Sequence, residues 1–324
     1  MKELINEILI KIKEYNKVAI FRHVSPDPDS YGSQAGLKSI IVNSFPNKKV
    51  SLFGTQSERL SYIAKMDNDF NVDKDTLAIV LDVSNKERVD NLSFENAGFI
   101  IKIDHHKPFT EKFENITWVD TGYASCSEMI LDIYLNNKEE LEISDDGIRG
   151  LYTGIVGDTG RFMYMENPTG LYKKLGELTF NFNAKEIYSR MYKRSREELK
   201  FLAYIYENYK VTENGVAYLK VSNSDLKRYG FTEAIDAARR VNALADTEGI
   251  INWLFFAQKE NGQIMSEFRS SGPRVNDIAF KFGGGGHFLA AGATLESFEV
   301  VDKIINEFDE NCRAFNKSLL NKEN

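Results

Sequence analysis

Cysteine is almost missing from this chain: Cys126 and Cys312 are the only two, with no pairing framework and no zinc-type spacing. A disulfide scaffold is excluded, and a reduced, cytoplasmic protein is expected. Long apolar runs are lacking as well. None approaches the roughly 18 uncharged residues of a membrane span, so no membrane association is expected. The opening MKELINEILIKIKEYN places charges throughout an apolar stripe (Leu4, Ile5, Ile8, Ile12, Tyr15), which is an amphipathic helix and not a signal peptide. There is no basic excess either: 41 Lys and Arg against 48 Asp and Glu leave a net charge of -7. Affinity for long duplexes comes from many phosphate contacts, so a protein gripping long duplex nucleic acid is not expected. A small phosphorylated substrate in a local basic pocket remains compatible, and bound divalent cations would offset part of the acidic total.

What the chain does contain is enough apolar residue for a sizeable core, 42% of 324 residues, and the length suits two medium domains. KVAIFRH, KKVSLF, TLAIVLDV and GFIIKID read as strands, with helical stretches such as DSYGSQAGLKSIIVN between some of them. That alternation predicts βαβ units and a buried parallel sheet with helices on both faces. Asn183 to Lys210 reads as a charged helical connection. NGVAYLKV then begins a new strand, a helix follows near Thr232–Ala245, and IINWLFFAQKE and QIMSEFRS flank an Asn261-Gly262 hairpin turn. A helix near Val275–Phe282, the run Gly283–Gly286 and a terminal helix complete a smaller mixed α/β domain, facing the first across a cleft. The expected division is 1–185 for the first domain, 186–210 for a helical linker and 211–324 for the second.

Histidine is scarce, and its placement is informative. All four, His23, His105, His106 and His287, lie in motifs rich in Asp or Gly. In RHVSPDPDSYGS, His23 ends a strand, and Asp27 and Asp29 follow in a turn stiffened by Pro26 and Pro28. A helix N-terminus capped by Asp29 or Ser30 explains part of this, but neither His23 nor two acids. Asp82 follows TLAIVL, where a lone acid could simply mark the strand's exit. IDHHKPF sets Asp104, His105 and His106 after an apolar strand, so three strand ends converge on one crevice, where open α/β sheets bind ligands. In GIVGDTGRF, Asp158 sits among Gly157, Thr159 and Gly160, a pattern that a plain turn would also explain. Imidazole and carboxylate donors suit Mn²⁺ and related divalent ions, and six such ligands with one bridging acid could hold two metals about 3.5–4 Å apart. In FKFGGGGHFLAAGATL, four glycines before His287 would let backbone amides form an anion nest near a helix start. A flexible loop is the plainer reading, but four glycines followed by His287 and Ala290-Ala291-Gly292 are more specific than that.

The order HxxxDxD, a strand-end Asp, DHH, GDTGRF and GGGGH with AAG resembles the DHH–DHHA1 phosphoesterases, and more narrowly the NrnA-type nanoRNases that also act as pAp (3′-phosphoadenosine 5′-phosphate) phosphatases. The match spans nearly the whole chain, including HVSPDPDSYGSQAGL, WVDTGYASCSEMI and FRSSGPRVN. The resemblance implies one metal on His23, Asp27 and Asp82, and another on Asp29, Asp82, His105 and Asp158, with Asp82 bridging. It also implies that His106 faces the substrate phosphate, with Asp104 behind it. Arg269, Gly284, Gly285, Gly286 and His287 match the family's substrate-binding motif. Glu267 is a departure, because a neutral or basic residue is expected there. The implied cofactors are two divalent ions, Mn²⁺ first, with Mg²⁺ or Co²⁺ as alternatives. The implied substrates are short RNA oligonucleotides and pAp, and the implied assembly is a homodimer. The alternative activity is a soluble phosphodiesterase for linear or cyclic dinucleotides. A catalytically dead nucleotide sensor would be expected to have lost a ligand of this set, and none is lost.

Overall fold

The computed structural model describes residues 2–106, 112–165, 167–286 and 288–320. The chain divides into two compact units, 1–192 and 193–324.

The Val- and Ile-rich segments of the first unit pair as the apolar pattern demands. The elements run α1 (Lys2–Glu14), β1 (Lys17–Phe21), α2 (Pro28–Ser44), β2 (Lys49–Leu52), β3 (Thr76–Leu81), β4 (Phe99–Asp104), β5 (Ile116–Val119), α3 (Cys126–Leu135), α4 (Asp145–Asp158), α5 (Thr169–Gly176) and α6 (Ala184–Met191). Every pairing in the sheet is parallel, in the order β2-β1-β3-β4-β5. The central β3 is buried at every position, as a strand covered on both faces must be. Of the predicted stripe of α1, Ile5, Ile8 and Ile12 are buried together with Leu9, whereas Leu4 and Tyr15, the latter just past the helix, are half-buried. The strand β5 is too short, and too weakly apolar beside Asp120, to be visible in the sequence.

α2 and α4 approach closely at Gly32. A Cβ there would lie 2.4 Å from the carbonyl oxygen of Gly150 and 2.9 Å from the amide of Gly154. The side chain that caps α2 is Asp27, not Asp29 or Ser30. Its carboxylate accepts from Ser30 N while the Ser30 hydroxyl meets Asp27 N in a reciprocal box.

The second unit runs α7 (Arg196–Asn208), β6 (Lys210–Val211), β7 (Val216–Val221), α8 (Asn223–Arg228), α9 (Ala234–Ala238), β8 (Asn252–Gln258), β9 (Ile264–Ser270), α10 (Asn276–Lys281), β10 (Gly285–Gly286), β11 (Ala290–Leu295) and α11 (Phe298–Leu320). Its mixed sheet has the order β10-β11-β9-β8-β7-β6, with β7 and β8 parallel and the other pairs antiparallel. The helix expected near Thr232–Ala245 is α9 followed by a 3₁₀ stretch, Arg239–Leu244. The glycine run also departs from expectation, because it follows the end of α10 instead of preceding a helix. Gly283 N and Gly284 N donate to Phe280 O and Ala279 O, capping that helix, and Gly285–Gly286 pair with β11. Two amides of the supposed nest are therefore already engaged.

Candidate metal centre

The strand order reverses at β1, with β2 added on one side of it and β3, β4 and β5 on the other. The carboxyl ends of strands at such a switch point form a crevice. His23 lies just beyond β1, tied to Val89 by an isolated bridge. Asp82 lies just beyond β3, and His105 and His106 follow β4. The N-terminus of α2 brings Asp27 and Asp29 to the same crevice, and the last turn of α4 brings Asp158. Asp158 is thus the end of a helix, not part of an isolated turn. Asp82 has a φ of 59°, a left-handed conformation uncommon outside glycine and tolerated best by Asn and Asp.

The side chains fall into three groups, each close enough to hold a cation: His23, Asp27 and Asp82; Asp29, His105 and Asp158; and Asp82, His105 and His106. His23 Nε2 is 3.4 Å from Asp27 Oδ2 and 3.3 Å from Asp82 Oδ2. His105 Nε2 is 3.4 Å from Asp82 Oδ1, 3.2 Å from Asp158 Oδ2 and 3.9 Å from Asp29 Oδ2. The two oxygens of Asp82 therefore face different groups. Asp104 Oδ1 accepts from both the backbone amide and Nδ1 of His106, at 3.2 and 2.8 Å, which fixes the ring.

Electrostatics at this cluster are those of a site short of positive charge. Burial alone would lower the His105 imidazole, but the carboxylates of Asp158 and Asp82 outweigh it and push it up to about 12. His23 is raised in the same way against its burial, by Asp27 and Asp82. Asp82 is held below the usual carboxylate range, because His105 and His23 overcome the cost of its burial. Burial lifts Asp158 to about 6, with Asp27 and Asp82 adding to the rise and His105 opposing it. Asp29 is pushed up by burial and by the Asp158 and Asp82 carboxylates, while the amides of Cys126 and Ser127 at the start of α3 donate to it at 2.7 and 2.8 Å. Asp82 Oδ1 and His105 Nε2 are buried and make no hydrogen bond. Orphaned buried donors and acceptors are costly, and a divalent cation is what this imidazole–carboxylate set would satisfy. The residues fit a metal.

Two buried cations support the centre and carry a signal that the sequence reading passed over: a charge inside an apolar strand. Arg22, fully buried, donates to the carbonyl of His23 at 2.8 Å and pairs with Asp90 at 2.7 Å, fixing the backbone beside a candidate ligand. Lys102, 3% exposed, donates to Ser84 O at 2.7 Å in the loop after Asp82 and lies 3.7 Å from Asp104 Oδ2.

The residues expected to bind substrate lie in the second unit. Arg269, on β9, is held by Glu267 at 2.8 Å and by the carbonyl of Phe268 at 2.9 Å. Gly284 and Gly285 border a cavity of about 340 Å³ together with Ser266, Glu267, Gly292 and Ala293. Gly286 is paired to Ala291, and His287 lies outside the described residues. Among the described residues, no helix is long and apolar enough to cross a membrane.

The profile of the DHH family, N-terminal domain, matches residues 17–155, and that of the DHHA1 domain matches residues 213–314. The chain is 36% identical over 313 residues to the bifunctional oligoribonuclease and PAP phosphatase NrnA of Bacillus subtilis, covering 95% of this chain and 98% of that protein. It is also 36% identical over 302 residues to the probable bifunctional oligoribonuclease and PAP phosphatase NrnA of Streptococcus mutans, covering 93% and 96%. An exopolyphosphatase-related protein from Bacteroides fragilis superposes with a TM-score of 0.84 at 23% identity, covering 97% of this chain and 98% of its own, which is a likeness of fold.

Proposed function

This chain belongs to the DHH family, its DHH domain followed by a DHHA1 domain, and from that membership we propose that it hydrolyses very short oligoribonucleotides to mononucleotides and removes the 3′ phosphate of pAp to give AMP. The observation that carries the reading is the Asp82 carboxylate. One oxygen lies 3.3 Å from His23 and the other 3.4 Å from His105, so a single acid joins two ligand groups. The relatives' substrates, short RNA and PAP, suit a centre that handles one phosphate ester at a time.

His23, Asp27 and Asp82 would hold one divalent ion, and Asp29, Asp82, His105 and Asp158 a second, with Mn²⁺ the expected metal. Such a pair supplies a nucleophile at neutral pH and neutralises charge that builds on the phosphoryl oxygens. The chain's own residues do the rest. Asp104 holds the Nδ1 side of His106, and in this reading the phosphate contact falls to Nε2. Arg22 and Lys102 keep the His23 and Ser84 backbones in place, so the ligands need not be ordered when substrate arrives. Arg269 and the glycine-lined cavity supply the substrate contacts of the second unit.

The test is turnover with Mn²⁺ on a diribonucleotide, pAp, a cyclic dinucleotide and pyrophosphate. Mononucleotide from the first and AMP with phosphate from the second are expected. Hydrolysis confined to the cyclic dinucleotide or to pyrophosphate would overturn the reading.

A further inference from the structure

Just beyond Asp158 the chain adopts a conformation that nothing in the metal centre requires. Gly160, Arg161 and Phe162 all have left-handed φ values, 54°, 62° and 68°, and two of the three are not glycine. Such backbone costs energy and persists only where its surroundings enforce it, which happens most often at functional sites. Here the enforcement is visible. Arg161 N donates to Val156 O, Tyr164 N donates to Thr159 O, and the Thr159 hydroxyl accepts from Phe162 N at 3.0 Å. Phe162 packs edge-on against Tyr172, and the ring of Tyr164 fills the space where a Cβ on Gly160 would stand.

The turn displays Arg161 at the surface with its guanidinium 4.5 Å from the centroid of the Tyr192 ring. Tyr192, 40% exposed, stacks in turn on Tyr188 at 6.4 Å and 19°, and the Tyr188 hydroxyl is 2.6 Å from that of Tyr152. Among the described residues no carboxylate pairs with Arg161, although the neighbouring centre is rich in them. The outcome is an anchored pile of two phenol rings and a guanidinium plane, ending at solvent. It begins three residues after a candidate metal ligand, a chain reach of at most about 11 Å. Guanidinium and aromatic planes are the surfaces on which proteins stack unpaired bases.

We infer that the Arg161–Tyr192 stack is a nucleobase platform on the metal-binding unit, where the base of a nucleotide adjoining the scissile phosphate lies against the guanidinium. The inference rests on the nucleotide-ester reading of the centre and adds a subsite to it. It takes any base, because every base has a face to stack, and it explains why a strained turn presents flat side chains to water instead of burying them.

The experiment compares KM for the dinucleotide ApA and for the corresponding abasic dinucleotide in the full-length Mn²⁺-loaded protein. Tyr192→Leu and Arg161→Gln should each raise KM for ApA about tenfold, within the range for losing one stacking partner. The loss should fall on KM and not on kcat, with bound metal and melting temperature as in the wild type. The abasic substrate should show no such change, and Tyr192→Phe, which keeps the ring, should recover the wild-type KM. An unchanged KM for ApA, or an equal rise on the abasic substrate, overturns the platform. Should the wild type hydrolyse neither ApA nor pAp, the functional reading itself fails, and calorimetry with AMP and ribose 5-phosphate then decides the platform alone. Tighter binding of AMP that Tyr192→Leu abolishes sustains it, and equal binding of the two ligands refutes it.

Discussion

Gly32→Ala should disable the metal centre while leaving the fold largely intact. The added methyl would sit 2.4 Å from the Gly150 carbonyl oxygen, where an ordinary contact begins near 3.4 Å, so α2 and α4 must part by about 1 Å. Both obstacles are backbone atoms, and neither can swing aside. Overpacking of this kind costs about 1–3 kcal/mol, and the better helix propensity of Ala returns about 1 kcal/mol. The net loss of stability is then at most about 2 kcal/mol, a fall in Tm of a few degrees for a unit of this size. The centre is far less tolerant. Asp29 is three residues before Gly32 on α2, and Asp158 ends α4, so the same 1 Å separates two carboxylates of one ligand group. Misplacement on that scale can cost about 100-fold in rate. Calorimetric Mn²⁺ titration, turnover and differential scanning calorimetry on one preparation would measure all three effects. Gly170→Ala on α5, where nothing lies within 4 Å, is the control and should behave as wild type. Wild-type metal stoichiometry and turnover in Gly32→Ala would refute the claim that this helix contact sets the spacing of the centre.

Asp82→Asn keeps the side chain's size and its tolerance of a left-handed φ, so it isolates the charge. Metal affinity should fall by more than the roughly 10–100-fold typical of losing an outer-shell partner, and retention of two ions by elemental analysis would remove Asp82 as the bridge. Metal affinity should also rise with pH. In the metal-free fold His105 is raised from 6.5 to about 12, so its stabilising contacts are complete below pH 6.5 and disappear only as pH climbs through 12. Between pH 6 and 9 a cation must therefore displace that proton, giving about a tenfold gain in affinity per pH unit for each proton released. Below about pH 6, protonation of Asp158 steepens the dependence. Calorimetry in buffers of different ionisation enthalpy would expose a flat profile with no proton release, which would contradict this charge assignment. Glu267→Gln loosens the carboxylate held 2.8 Å from Arg269 and should lower KM for pAp. An unchanged or higher KM would show that Glu267 presents Arg269 instead of occupying it.

Much of this protein is locally encoded. The four Val- and Ile-rich strands, the stripe of α1 and the Asn261-Gly262 hairpin follow from side-chain periodicity and turn chemistry, which act over a few residues. The clustering of histidines and acids at strand ends is local for the same reason, since a parallel sheet delivers the ends of all its strands to one edge. What the tertiary structure alone decided involves partners distant in sequence. Asp29 is held by the amides of Cys126 and Ser127, nearly a hundred residues away, which leaves the capping box of α2 to Asp27 and Ser30, and Gly285–Gly286 pair with β11 instead of staying a free loop. Asp158 joins Asp29 and His105 only because two helices lacking a side chain at Gly32 can touch. The stack of Arg161 on Tyr192 left no trace in any single motif. Composition and periodicity report which residues must be buried, whereas the distances between functional atoms depend on how closely backbones pack, and that is a property of the folded chain.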